Sequence, residues 1–301
     1  MTYLRLFVRL SRPFFLLGAA FFYALGVGIA RYLGTPIDWG LYALGQAWVT
    51  ALQLSTHYLN EYYDAPADAH NPNRTFFTGG SGALAPGNLP RFVALVAAIT
   101  TLAITASFTG LLFHETEVSL TLILLLMLSF LGAFFYSVPP VKLVASGYGE
   151  LTASIVVANL LPTFAFVLQY GQLHRLLAMT TFPLLALHLA MLLVFNLTDY
   201  AADLRHGKRT LIVRMGWQAG MLLHNILVLS AFLLFALAMV FGLPLGIGLP
   251  CFLSLPLGLF QIWQMRRIAA GAKPNWKALT LTATALLGSV VYLLTFTYWT
   301  R

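Results

Sequence analysis

Charge is scarce in this chain, and acid is the scarcer sign. Of 301 residues only 9% are Asp, Glu, Lys or Arg, with nine acidic side chains against seventeen basic ones. A water-soluble domain carries roughly 25% charged residues, so a soluble globular protein is excluded. Cysteine is nearly absent as well. The single Cys251 excludes an intrachain disulfide framework and any multi-cysteine metal centre. Low-complexity stretches are missing, and so is a Walker-type glycine loop, which removes support for nucleotide hydrolysis. A net charge of +8 would point to nucleic acid in a soluble protein. Here the basic residues fall between apolar runs, so the excess reads as loop bias in a membrane protein, and no nucleic-acid partner is expected.

What the chain has in abundance is apolar length: 59% of it is hydrophobic. Runs long enough to span a bilayer fall near 13–33, 39–60, 91–113, 118–137, 149–170, 176–199, 216–242, 244–262 and 278–298. Backbone amides in lipid must be paired within their own segment, so these nine runs read as helices. The short alternating segments of a β-barrel do not occur. The expected fold is therefore all-α, a polytopic bundle of nine transmembrane helices around a central cavity open to the cytoplasm. The run 244–262 is the weakest, being interrupted by Pro250 and Pro256. The basic N-terminus resembles a signal peptide, but the apolar run is long for one and no small-residue cleavage site follows, so it reads as the first span.

Loop charge orients the bundle. With the N-terminus on side one, that side holds Arg5, Arg9, Arg12, Arg74, Arg91, Lys142, Arg205, Lys208, Arg209, Arg214, Arg266, Arg267, Lys273 and Lys277, leaving Arg31, Arg175 and Arg301 on side two. The positive-inside rule places side one in the cytoplasm and the C-terminus opposite. A faint repeat runs through the chain. Asn60, Asp64 and Asp68 end the second run; Asn196, Asp199 and Asp203 end the sixth, and each Asp sits 135 residues from its counterpart. One domain covering 1–301, built of two four-helix halves plus a ninth helix, accounts for that offset.

Within each cluster two Asp four residues apart share a helical face, with an Asn a turn earlier. Like charges so spaced repel, which favours a cation between them. Oxygen ligands without Cys or paired His select Mg²⁺, which is typically held by one or two carboxylates plus substrate phosphates. The bland alternative is that these carboxylates are solvated loop ends. In the second run Gln53, His57, Asn60, Asp64 and Asp68 step by four, three, four and four, a stripe that should face a cavity rather than lipid. Pro66 is expected to end or kink that helix between its two Asp, so that Asp68 approaches from a loop. Cations and glycines follow each cluster: Arg74 and then Gly79-Gly80-Ser81-Gly82 after the first, and Arg205-His206-Gly207-Lys208-Arg209-Thr210 after the second. Between them lie Tyr136, Lys142 and Gly147-Tyr148-Gly149-Glu150. Acidic pairs beside cations suit a metal-bridged polyanion. Simple topology determination accounts for most of the basic residues; Lys142, Lys208 and Arg209 stand out as phosphate ligands.

Together these residues resemble the UbiA superfamily of intramembrane prenyltransferases. Its two aspartate-rich motifs match Asn60-Glu61-Tyr62-Tyr63-Asp64-Ala65-Pro66-Ala67-Asp68 and Asp199-Tyr200-Ala201-Ala202-Asp203. Gly79–Leu84, Gly147–Glu150 and Gly207–Leu211 look most like the MenA branch, the 1,4-dihydroxy-2-naphthoate polyprenyltransferases. Glu61 in place of the usual Asp, and Pro66 within the first motif, depart from the family pattern. The resemblance implies Mg²⁺ held by Asn60, Asp64, Asp68, Asp199 and Asp203, clamping the diphosphate of a polyprenyl donor, with catalysis resting on the four Asp and Lys142. Diphosphate contacts fall to Arg74, Lys142, Arg205, Lys208 and Arg209. Tyr62, Tyr63 and Tyr136 would line the path of an allyl cation. The acceptor would be aromatic and meet Arg12, His57, Tyr136 and Asn196. Arg12 reads equally as a topology charge, and His57 first as a packing histidine. The tail of the donor would extend into the lipid bilayer. Other acceptors (4-hydroxybenzoate, homogentisate, a chlorophyllide) stay open, and a cation-coupled transporter is the alternative from another class.

Overall fold

The computed structural model describes residues 2–68 and 73–301, which form helices and turns with no β-strand among them. A short helix α1 (Tyr3–Leu10) leads into α2 (Pro13–Tyr32). Then follow α3 (Trp39–Asp68), α4 (Arg91–Glu115) and α5 (Leu120–Ser137), and α6 (Gly149–Ile155) runs on into α7 (Leu161–Tyr170). The second part holds α8 (Arg175–Arg205), the short α9 (Leu211–Met215), α10 (Trp217–Val240), α11 (Leu245–Gly248) with α12 (Leu255–Ala269), and α13 (Trp276–Thr300).

Eight of these helical passes are long and apolar enough to cross a membrane. The remaining one, α3, falls short in hydropathy because it carries the polar stripe. Its 30 residues still extend about 45 Å, against a hydrocarbon core of roughly 30 Å. Side-chain exposure reports the solvent. On α10 the exposed residues include Leu222, Ile226, Leu229, Leu233, Leu237 and Val240, a stripe at helical spacing. An apolar stripe left outside is uncovered core in water but a matched surface in lipid. The chain is thus an integral, multi-pass membrane protein. Helix α8 is central, with 72% of its apolar window buried against 17% for α4. Its neighbours α2, α7, α10 and α13 supply Tyr23, Phe164, Phe166, Phe235 and Tyr298 to the main core.

Three local departures follow from identifiable residues. First, α3 continues through Pro66 to Asp68, so Asp68 is a helical residue rather than a loop one; the expected break at Pro66 is not there. Secondly, the run 149–170 is interrupted by a π-helical turn over Val156–Leu160 directly before Pro162, whose missing amide removes one helical hydrogen bond. Thirdly, the run with Pro250 and Pro256 is broken as its prolines suggested, by a 3-10 turn over Leu249–Ser254.

A second, smaller core lies at the end where the Asp motifs sit. Leu6 and Leu10 of α1 pack with Tyr58 and Leu59 of α3, Ala83 and Leu89 of the following loop, and Ala94 and Ala98 of α4. This cluster holds the first glycine loop against the bundle and so sets the floor of the site.

Helices α2 and α7 approach most closely at Gly26, where a Cβ would lie 2.1 Å from the Pro162 carbonyl oxygen and 2.9 Å from the Ala165 methyl. Small residues at such crossings let backbones meet. At Gly18, one face away, a Cβ meets nothing within 4 Å. Gly26→Ala is expected to destabilise the bundle by about 1–3 kcal/mol, whereas Gly18→Ala leaves it unchanged or firmer. Thermal unfolding of both variants in detergent checks this, and equal midpoints would contradict the packing described.

Candidate functional site

The two Asp motifs lie at the same end of the bundle because α3 and α8 each run past their apolar stretch into polar residues there. Helix α8 ends at Arg205; Gly207 then takes a left-handed turn (φ +69°) and the Lys208 amide donates back to the Asp203 carbonyl at 2.9 Å. That reversal carries the Lys208 side chain inward. Its Nζ donates to Asp64 Oδ2 at 2.9 Å and stands 4.0 Å from Asp203 Oδ1. Lys142 approaches the other oxygen of Asp64 at 3.6 Å, and the Asn60 amide donates to Asp64 at 3.0 Å. Asp64 and Asp203 are each about 5% exposed. Burial works against the Lys208 ammonium, but Asp64 and Asp203 outweigh it and hold its pKa above the ordinary lysine value.

The first glycine loop makes the reciprocal crossing. The Gly79 amide donates to Asp199 Oδ2 at 3.2 Å, Thr198 Oγ1 to Thr78 Oγ1 at 2.8 Å, and the Asn73 amide to the Thr198 carbonyl at 3.4 Å. So the loop after motif one is docked on motif two, while the lysine after motif two is docked on motif one. Gly80 is obligatory here: its φ is +72°, and a Cβ would meet Asp68 Oδ2 at 2.2 Å.

Two buried glutamates, neither of them singled out as a site residue from the sequence, anchor this arrangement. Glu61 accepts from Arg12 through both Nε (2.9 Å) and Nη2, from the Ser81 amide (2.7 Å) and from the Ser81 hydroxyl (2.7 Å). Glu150 accepts from the Asn196 amide and from the Leu211 N–H at 2.7 Å. Each glutamate therefore fastens the loop that follows one Asp motif. The sequence signal was present in both cases: an acidic residue is costly in an apolar protein unless donors surround it.

The remaining sequence candidates divide. Arg74 donates to the Gly79 and Asp68 carbonyls, both at 2.7 Å, and so clasps the first loop. Arg205 and Arg209 are exposed, and neither has a carboxylate partner among the described residues; Lys208 and Arg209, adjacent in sequence, do not share a target. His57 meets the Ser11 carbonyl at 3.1 Å and packs edge-on to Phe15. Tyr136 is half-buried in the last turn of α5. Tyr62 is engaged by Arg91, 4.2 Å above its ring, and packs edge-on against Tyr63. The aromatic wall beside the site is instead Phe15, Phe77 and Phe195, with Phe77 and Phe195 stacked at 5.9 Å. Arg12 and Lys142 are the non-glycine residues with left-handed backbone, at φ +49° and +40° among the described residues, a strain that tends to gather at functional sites.

Whether these residues suit Mg²⁺ can be judged from the donors. All five candidates supply hard oxygen, as that ion requires. Among the described residues no three His, Cys, Asp or Glu side chains are already closed into a metal cage. A cation nevertheless stands between the motifs, the ammonium of Lys208, flanked by carboxylates from α3 and α8. The donor set and this stand-in charge fit a divalent ion.

Comparison with known proteins agrees with the geometry. The model of the UbiA prenyltransferase family matches residues 15–283, and the chain belongs to that family. Its fold is similar to a UbiA homologue from Archaeoglobus fulgidus solved with DMAPP and Mg²⁺ (15% identity, TM-score 0.67, covering 98% of this chain and 99% of the other). It is also similar to a UbiA homologue from Aeropyrum pernix K1 (16%, 0.64, 94% and 96%) and to a digeranylgeranylglyceryl phosphate synthase structure (14%, 0.65, 100% of both). At such identities the likeness is one of fold. No curated protein matches the sequence significantly.

Removing the Glu61 carboxylate would leave the half-buried Arg12 and both donors of the buried Ser81 without their acceptor. Glu61→Ala is expected to cost about 3–5 kcal/mol and to expose the 79–82 loop to protease. Glu61→Gln, which keeps acceptor oxygen, should lose less. Thermal unfolding with limited proteolysis measures both, and a wild-type profile for Glu61→Ala would refute the anchoring role.

Proposed function

We propose that this member of the UbiA prenyltransferase family transfers a polyprenyl group from polyprenyl diphosphate to an aromatic acceptor, with 1,4-dihydroxy-2-naphthoate the preferred candidate. The observation that carries the reading is the double crossing: Lys208 on Asp64 and Gly79 on Asp199 bring two acidic motifs 135 residues apart to one cation-bearing junction. Homologues of this fold solved with GPP or DMAPP and Mg²⁺ support a prenyl diphosphate donor, and the glycine-rich segments that look like the MenA branch support the acceptor.

Asn60, Asp64, Asp68, Asp199 and Asp203 are the residues that would hold Mg²⁺, which when bound supplies Lewis-acid charge to the diphosphate oxygens. Lys208 and Lys142 meet the charge that develops on the leaving oxygen as the allylic C–O bond breaks and its electron pair departs with diphosphate. Phe15, Phe77 and Phe195, with Tyr136, offer the allyl cation a dry, π-rich wall. An electron-rich ring carbon then forms the new C–C bond, followed by loss of a proton and, for the dihydroxynaphthoate, of CO₂. Arg12, steadied by Glu61, is the partner for an acceptor carboxylate, with His57 and Asn196 behind it. Arg74, Arg205 and Arg209 supply the surrounding positive field. The positive-inside distribution supports a cytoplasmic site and N-terminus, in a single domain of two four-helix halves plus a ninth helix.

The test is incubation of purified protein with Mg²⁺, a labelled polyprenyl diphosphate and a panel of aromatic acceptors, with mass spectrometry of the lipids formed. Asp64→Asn and Asp199→Asn should each reduce turnover by about 10²–10³ while the protein still folds, and EDTA should abolish it. Lys208→Ala should raise the KM for the donor about tenfold or more. Undiminished turnover in either Asp variant would sink the assignment.

A further inference from the structure

We propose that a second anion site, for a phosphate-bearing ligand, lies beside the Asp junction in the open cavity bordered by the turn after α8. The cavity measures about 420 Å³ and is lined by Leu204, Gly207, Lys208, Arg209, Val213 and Arg214. Three of the six are cations and none is acidic. Lys208 spends its charge on Asp64 and Asp203, whereas Arg209 and Arg214 have no carboxylate partner among the described residues.

The second arginine is built into place. Arg214 lies over the Tyr148 ring at 5.6 Å, and a Cβ on Gly147 would fall 2.5 Å from its Cδ and Nε. Gly147 thus makes room for the side chain. A guanidinium held by a cation–π contact spends no N–H donor on a carboxylate, which leaves its fork for a planar or tetrahedral oxyanion. The Arg209 backbone is tied to the Ala145 carbonyl at 3.3 Å, which fixes the loop that presents both arginines. Two guanidiniums at one cavity repel unless an anion is shared, and phosphate offers each a bidentate contact.

Two sources carry that chemistry. Inorganic diphosphate would reach the cavity from the far side of Lys208. An anionic phospholipid headgroup would reach it from the bilayer, past exposed Leu204 and Met215. Lys208 and Arg209 also border the proposed diphosphate site, so the inference rests in part on the prenyl-transfer reading, and Arg214, which that reading does not use, separates the two.

The experiment uses the full chain in EDTA, so that metal-dependent binding at the Asp motifs does not contribute. Inorganic diphosphate is titrated by calorimetry in detergent, and phosphatidylglycerol is scored by native mass spectrometry against phosphatidylcholine. At least one probe is expected to bind, and R209Q/R214Q to weaken it about tenfold or more, with each single variant intermediate and R266Q, at an exposed arginine elsewhere, without effect. Diphosphate binding alone identifies the soluble source, phosphatidylglycerol alone the lipid, and either supports the site. Thermal midpoints confirm that the variants are folded. Failure of both probes to bind, or binding that survives the double variant, overturns the proposal.

Discussion

The architecture turns on one ammonium group held between carboxylates from opposite halves of the chain. Lys208 reaches Asp64 on α3 and Asp203 on α8 in surroundings where an unpaired charge would be expelled or neutralised. Such a contact is not principally a source of net stability, because taking the charges from water costs about as much as their attraction returns. Its effect is on geometry. Any arrangement that separates the two motifs leaves a buried charge without a partner, so the ends of α3 and α8 are held in one register. The Gly79–Asp199 contact repeats the constraint in the opposite sense, and the two loops cannot move independently.

Glu61 and Glu150 extend the same logic outward. In a protein with nine acidic residues, two are buried and hydrogen-bonded where they fasten the glycine loops. Glu61 also explains a departure from the family pattern. The side chain that follows Asn60 is bonded to Arg12 and Ser81, so its extra methylene lengthens a structural clamp. This separates carboxylates that hold the loops from carboxylates that remain available to a cation.

Eight passes of the bundle were legible from apolar run length, because lipid penalises every other backbone arrangement, and the paired motifs were legible from spacing. The helix through Pro66 was not. Proline forbids one hydrogen bond, the one to the Tyr62 carbonyl, and that carbonyl accepts instead from Arg91 Nε at 2.6 Å. Tyr62 lies under Arg91 and packs edge-on against Tyr63, contacts that no spacing announces. The Phe15, Phe77 and Phe195 wall draws on three separate segments, and no local pattern announces such a meeting. Lys208 and Arg209 looked equivalent in sequence, yet the turn at Gly207 sends one inward and leaves the other exposed.

That turn also bears on why a lysine occupies the bridging position. An ammonium is a compact point charge on a flexible stem, while a guanidinium presents a planar fork that locks on to a carboxylate. The group between Asp64 and Asp203 must satisfy both carboxylates and yet yield to a ligand with a stronger field. A lysine can do so by rotating about its methylenes, following the incoming anion without dismantling the loop. Arg12 is placed under the opposite requirement. Held by two bonds to Glu61 and by a left-handed backbone, it suits recognition of a fixed planar group. In the proposed reaction the site would thus pair a mobile cation for the charge that departs with a rigid one for the partner that stays, a division set by side-chain shape as much as by position.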